Sequence, residues 1–247
     1  MANMYYTENP NVEHDIHELN VKLLGESFSF LTDAGVFSKR MIDYGSQVLL
    51  NSLHFEKNKS LLDLGCGYGP LGISLAKVQG VKATMVDINT RALELAKKNA
   101  TRNGVVVEVF QSNIYENISK TFDYIISNPP IRAGKQVVHS IIEESICYLN
   151  TGGSLTIVIQ KKQGAPSAKA KMLDTFGNCD ILKKDKKHKN NSKLFDENLI
   201  VYINEVDSSQ MLEVMKRGYI EMSQINLELA EECVDEISDY ETWLCGV

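Results

Sequence analysis

The stretch "SLLDLGCGYGPLG", Ser60 to Gly72, decides how the chain is read. "SLLDL" is a short apolar run with the look of a buried strand, and "GPLGISLAKVQ" has the composition of a helix. Between and just inside them stand Gly65, Gly67, Gly69 and Gly72. Glycines let the backbone turn tightly and approach a ligand closely. A glycine-rich turn alone is weak evidence, because a tight turn needs no ligand. The next strand, "KATMVDIN", strengthens it: Asp87 closes that strand 24 positions after Asp63. An acid there can accept hydrogen bonds from ribose hydroxyls. The spacing G-x-G-x-G departs from the dinucleotide form G-x-G-x-x-G, and no phosphate-binding lysine follows. The expected ligand is a nucleoside without a pyrophosphate.

Working outward, strands and helices alternate. "TRALELAKKNATRNG" is a helix opened by Asn89 or Thr90 and closed by Gly104. "VVVEVFQSN" and "FDYIISNPP" are strands. "VVHSIIEESICYLNTGG" is a helix ending in a glycine pair, "SLTIVIQ" a strand, "PSAKAKMLDTFG" a helix and "CDILKK" a strand. Upstream, "SFSFLTDAGVF" alternates apolar and polar residues and then turns at Asp33–Gly35, and "SKRMIDYGSQVLLNSL" has helical spacing. This order predicts an α/β, Rossmann-like domain with a mostly parallel sheet, binding its ligand at the carboxyl ends of the strands.

The composition is that of an ordinary globular chain, 43% hydrophobic and 23% charged over 247 residues. Five cysteines without a C-x-x-C pair point to free thiols in a reducing compartment and to no metal site. The amino-terminal residues do not pattern as a signal peptide, and no apolar run is long enough to span a bilayer, so a cytoplasmic location is expected. The net charge of −6 is unevenly spread. Residues 205–247 carry eleven acidic and two basic side chains, whereas the rest of the chain is slightly basic.

In "ISNPPIRAGK", Ile126 to Lys135, an apolar strand stops at two prolines. Proline cannot donate to a sheet ladder, so the strand ends in a stiff loop led by Asn128. A strand-terminating turn is the plain reading; a site needing fixed hydrogen-bond acceptors is the sharper one. "DLGCGYG", "VDIN" and "SNPP" together resemble the class I S-adenosylmethionine-dependent methyltransferases. The resemblance implies S-adenosyl-L-methionine as cofactor, held by Asp63, Gly65, Cys66, Gly67, Gly69, Asp87, Ile88 and Asn113. Asn113 stands where that family often has an aspartate at the adenine amine, and Cys66 is read as a space-filler in the loop.

The same resemblance makes "NPP" a mark of amine methylation, with Asn128, Pro129 and Pro130 as the catalytic segment. A conjugated amine is a poor nucleophile, and the Asn128 side-chain oxygen with the Pro129 carbonyl would orient it by accepting its two N–H groups. "YYTENPNVEHD", "FSFLTDAGVFSK", "NPPIRAGK" and "VIQKKQGAPSA" further resemble the RsmC-like methyltransferases, over about residues 5–185. That likeness implies the exocyclic N2 of a guanine in small-subunit ribosomal RNA as target. Phe37, Arg132 and Lys135 are the substrate-side candidates, with Lys161 and Lys162 as further phosphate contacts. Phe30 and Thr32 are read as core or pocket wall. A release-factor amide is the competing substrate, disfavoured by Ile131 where a tyrosine would be usual.

The expected division is a methyltransferase domain over residues 1–185, a basic linker over 186–197 and a helical, acidic tail over 198–247. "NLIVYINEV", residues 198–206, alternates as a strand would but is assigned to a helix. From Met211, apolar residues recur at Met215, Tyr219, Met222, Ile225 and Leu229 as one stripe of a helix. This tail resembles the toxin-binding part of MazE-type antitoxins, which implies a toxin-like protein partner through residues 211–244. On that second reading the chain is a binding module whose methyltransferase part is inactive or accidentally fused; a helix folded back on its own domain is the third.

Overall fold

The computed structural model describes residues 7–129, 134–187 and 197–205. Its first element is a hairpin that the sequence reading did not anticipate: β1 (His17–Leu23) pairs antiparallel with β2 (Glu26–Thr32). The strand β1 alternates inward and exposed side chains, with Leu19, Val21 and Leu23 on its inward face. Helix α1 (Tyr44–Leu50) follows and is shorter than its apolar spacing suggests. Then come β3 (Ser60–Leu64), α2 (Pro70–Gln79), β4 (Lys82–Asp87), α3 (Thr90–Arg102), β5 (Glu108–Gln111) and β6 (Phe122–Ser127). The series closes with α4 (Lys135–Ser145), β7 (Leu149–Gln160), α5 (Ala165–Phe176), β8 (Asp180–Lys187) and β9 (Glu197–Glu205).

Seven strands form one sheet in the order β5-β4-β3-β6-β7-β9-β8. The five from β5 to β7 run parallel, and β9 runs antiparallel to both its neighbours. The inner parallel strands β3, β4 and β6 are mostly buried, apolar runs, as a sheet covered on both faces requires, whereas the edge strand β5 is only part-buried. Chain order reverses between β3 and β6, so the loops leaving these two strands flank a crevice at the carboxyl edge of the sheet.

Residues 197–205 are a strand, which corrects the helix assigned to them and carries the sheet past residue 185. The reason lies in β7. Residues 153–159 of that strand are buried without interruption, so its backbone groups need partners on both edges. β6 covers one edge, and β9 covers the other from Ser154↔Glu205 to Gln160↔Leu199. Ile200 and Tyr202 are buried in the process. The expected linker is likewise shortened, because β8 reaches Lys187 and β9 begins at Glu197. The glycine pair does not end α4; it lies inside β7, where a Cβ at Gly153 would come within 2.8 Å of the Asp123 carbonyl oxygen.

A segment ahead of β1 straps across the start of α3. Thr90 N–H donates to the Glu8 carbonyl at 3.1 Å, and the Arg91 guanidinium donates to the carbonyls of Val12 (2.9 Å) and Ala34 (2.8 Å). Buried Asp33 accepts from the Asp15 and Ala34 N–H groups and pairs with His14, and these donors hold its carboxyl below the usual range despite burial. The motifs around "ENPNVEHD" and "TDAG" are therefore two halves of one contact. Among the described residues no helix is long and apolar enough to cross a membrane.

Candidate active site

Asp63 and Leu64 end β3, and the loop that follows is built by its backbone. The N–H groups of Gly65 and Cys66 both donate to the Val86 carbonyl at 2.9 Å, which ties the loop to β4. Gly65 and Gly67 have φ of +75° and +57°, values that side chains with a Cβ rarely adopt, and a Cβ at either would point into open space. A cradle remains on that side. On the other side Gly72 is needed for packing, since a Cβ there would sit 2.5 Å from Met85 Sδ.

Asp87, half-buried at the end of β4, closes the cradle. Its Oδ2 accepts from Gly67 N–H at 2.8 Å and its Oδ1 from Asn89 N–H at 2.9 Å. Asn89 is the cap of α3, accepting from Ala92 N–H, so the choice between Asn89 and Thr90 falls on Asn89. Asp63 is fully buried. Its Oδ2 accepts from Gly72 N–H at 2.8 Å, while Oδ1 has no hydrogen-bond partner among the described residues. Burial, with the negative Asp87 nearby, pushes the Asp63 carboxyl up to about 7. Burial also raises the Cys66 thiol well above its ordinary range, so it stays protonated and fills space as expected.

Ile88 and Asn113 follow β4 and β5, which are adjacent, and Asp87 is level with Gln111. Gln111 Nε2 donates to the Ile88 carbonyl at 3.1 Å, and Asn113 is exposed just beyond. The fold thus gathers Asp63, Gly65, Cys66, Gly67, Gly69, Asp87, Ile88 and Asn113 along the carboxyl edge of three neighbouring strands. Phe30 and Thr32 are core: Phe30 is wholly buried, stacks on Phe28 and meets Tyr68 of the glycine loop edge-on. Phe37 is 39% exposed in the turn after β2, one residue before Ser38, whose carbonyl accepts from the Tyr68 hydroxyl.

On β6, Ser127 is level with Leu64 of β3, and its hydroxyl donates to the Leu64 carbonyl at 2.8 Å. Asn128 therefore leaves its strand beside the point where the glycine loop leaves β3. Asn128 Nδ2 donates to Asp43 Oδ2 at 2.9 Å and to Ser46 Oγ at 3.0 Å. Neither Asp43 nor Ser46 was singled out from the sequence; Asp43 caps α1 and Ser46 lies in its first turn, more than 80 residues away. Pro129 is buried. Pro130, Ile131 and Arg132 lie outside the described residues. Lys135 begins α4, and Lys161 and Lys162 follow β7; all three are exposed.

A glycine cradle, an acid on each of two adjacent strands and an asparagine at the neighbouring strand end lie at one switch point. Residues 27–190 match the model of the methyltransferase small domain family. The chain belongs to this family. It is 44% identical over 191 residues to "Uncharacterized protein YbxB" of Bacillus subtilis (strain 168), covering 75% of this chain and 95% of that one. It is 37% identical over 175 residues to ribosomal RNA small subunit methyltransferase C of Erwinia tasmaniensis, covering 69% of this chain and 48% of that one. The chain thus spans about half the length of the methyltransferase C relatives it matches. Among solved structures it resembles the T. thermophilus 16S rRNA N2 methyltransferase RsmC in complex with AdoMet and guanosine, with TM-score 0.68, 23% identity, 80% of this chain and 52% of that one. A methyltransferase from Pyrococcus furiosus gives TM-score 0.54 at 21% identity. The fold of this methyltransferase small domain is the Rossmann-like class I methyltransferase fold, with S-adenosyl-L-methionine as cofactor.

The residues present fit that cofactor. Asp63 Oδ1 is a buried acceptor without a donor among the described residues, and it stands two residues ahead of Gly65, where the open cradle begins. Asp87 spends one lone pair of each oxygen on backbone donors and keeps others for hydroxyl groups. The family match ends at residue 190, and residues 211–244, with their antitoxin resemblance, lie outside the described residues.

Proposed function

We propose that the chain methylates the exocyclic N2 of a guanine in small-subunit ribosomal RNA. The observation that carries this reading is the state of Asn128. Both of its side-chain hydrogen bonds among the described residues are donated by Nδ2, which leaves Oδ1 as an acceptor on a residue that follows β6, the strand next to β3. The relatives named for small-subunit ribosomal RNA methylation, and the solved RsmC with guanosine bound, support RNA and guanine as substrate.

Bound S-adenosyl-L-methionine would supply a methyl group activated on a positively charged sulfur. Gly65, Gly67, Asp63 and Asp87 hold it, with Ile88 and Asn113 at the far edge. Asn128 Oδ1, and with it the Pro129 carbonyl, accept the N–H groups of the target amine and aim its lone pair. This is catalysis by orientation and fixed dipoles, without a covalent enzyme intermediate. The guanine has to leave its stack to reach such a site. Arg132, Lys135, Lys161 and Lys162 contact phosphates in this reading, and Phe37 borders the base.

The test is transfer of a labelled methyl group to small-subunit ribosomal RNA that lacks it, followed by nucleoside analysis. N2-methylguanosine is the expected product. Label on another base, or on a protein substrate, overturns the assignment.

A further inference from the structure

An asparagine amide has two nearly isosteric orientations, and only one of them serves an amine. If Nδ2 faced the substrate, it would meet the N–H donors of the amine with donors of its own. Something must select the other orientation. An ionised carboxylate can only accept, so it can face Nδ2 but not Oδ1. Asp43 Oδ2 lies 2.9 Å from Asn128 Nδ2, and the buried Ser46 hydroxyl offers a second acceptor at 3.0 Å. Asp43 is itself fixed, because the same Oδ2 accepts from Ser46 N–H at 3.2 Å as the cap of α1. Gly45 makes the arrangement possible: a Cβ there would stand 2.8 Å from Asp43 Oδ2 and 3.4 Å from both amide atoms of Asn128.

We infer that Asp43, with Ser46, is a positioning residue for catalysis: it locks the Asn128 amide with Oδ1 free for the target amine. This rests on the reading that Asn128 Oδ1 accepts from that amine. The carboxylate also polarises the amide, which makes Oδ1 the stronger acceptor. The segment "DYGS", Asp43 to Ser46, thereby joins the methyl-transfer site through Asn128.

The test separates orientation from helix capping. Asparagine caps a helix about as well as aspartate, so Asp43→Asn keeps α1 but removes the obligate acceptor. Expected is a kcat lowered at least tenfold, with cofactor Kd and RNA KM within twofold and the melting temperature little changed. Asn128→Asp sets two carboxylates against each other and is expected to be nearly inactive. Combining it with Asp43→Asn restores a donor facing an acceptor, and activity at least tenfold above Asn128→Asp alone is expected. The amide is also followed directly, by the side-chain 15N–1H resonances of Asn128 in the unliganded protein. The wild type should show one shifted, exchange-protected proton that Asp43→Asn loses.

Wild-type kcat and an unchanged amide signal in Asp43→Asn overturn the inference, as does a double variant no better than Asn128→Asp. Asn128→Ala distinguishes the two levels. If it turns over like wild type, the amine-orienting reading falls and the positioning role falls with it. If it is inactive while Asp43→Asn is normal, only the positioning role falls.

Discussion

The two halves of the crevice are built by different means. The half after β3 is made almost wholly by backbone: glycine conformations, N–H groups donated to Val86 and Asp87, and one buried carboxylate with an oxygen to spare. The half after β6 is made by side chains, and its key amide is held from α1, 85 residues earlier. Backbone sites are written in local sequence and tolerate change around them. A side-chain relay is written in pieces and depends on every partner. Binding the cofactor and aiming the amine should therefore fail separately.

The strongest way to break this division is Asn128→Ala. Loss of a preorganised group of this sort costs about 10²–10³ in kcat, while cofactor affinity should stay within twofold by calorimetry. A parallel loss of both would mean that the halves are one unit. Asp87→Ala attacks the other half. It removes a charged acceptor and also frees Gly67 N–H, and cofactor binding should weaken by roughly 1–3 kcal/mol. Unchanged affinity would take Asp87 out of the site. Gly72→Ala is milder: the added Cβ crowds Met85 Sδ at 2.5 Å, a flexible neighbour. A loss of about 1 kcal/mol in stability is expected by denaturant titration, and none at all would mean that helix and strand pack more loosely than described.

The smallest effect on cofactor binding is in pH. Asp63 has its carboxyl raised from 3.8 to about 7 when folded. Between those values the folded chain holds a proton that the unfolded chain has lost. Stability of the unliganded protein should fall as pH rises from about 4 to about 7 and then level off. A ligand carrying ammonium and sulfonium charges favours the carboxylate, so cofactor affinity should rise by less than tenfold between about pH 6 and 8, with proton release. Calorimetry in buffers of different ionisation enthalpy measures that release. A value of zero near pH 6.5 would show that Asp63 does not face the positive charge.

What the sequence revealed follows the same division. Asp63, the glycines, Asp87 and the Asn128 loop were legible because each sits at a strand end whose apolar run announces it. The order β3-α2-β4-α3-β5 followed from local periodicity alone. Asp43 and Ser46 were not legible, because their role depends on where α1 lands against β6, which no short pattern encodes. β1 was missed although Leu19, Val21 and Leu23 alternate with Glu18, Asn20 and Lys22 as a half-buried strand does; the period-2 pattern was there to be read. β9 was misassigned although Val201, Ile203 and their neighbours favour a strand. What settles it is the open edge of β7, a demand made by a distant strand rather than by residues 197–205 themselves.

The place of β9 sets a timetable for synthesis. It is the last described strand in the chain, yet it is inserted between β7 and β8. Until residue 205 has been made, β7 and β8 have no strand between them, and the uncovered edge of β7 presents unpaired backbone groups. At 5–20 residues per second, the 18 residues from Lys187 to Glu205 take roughly one to four seconds to add. For that interval the nascent chain carries a complete glycine loop on an incomplete sheet, and it is then that a chaperone would find it.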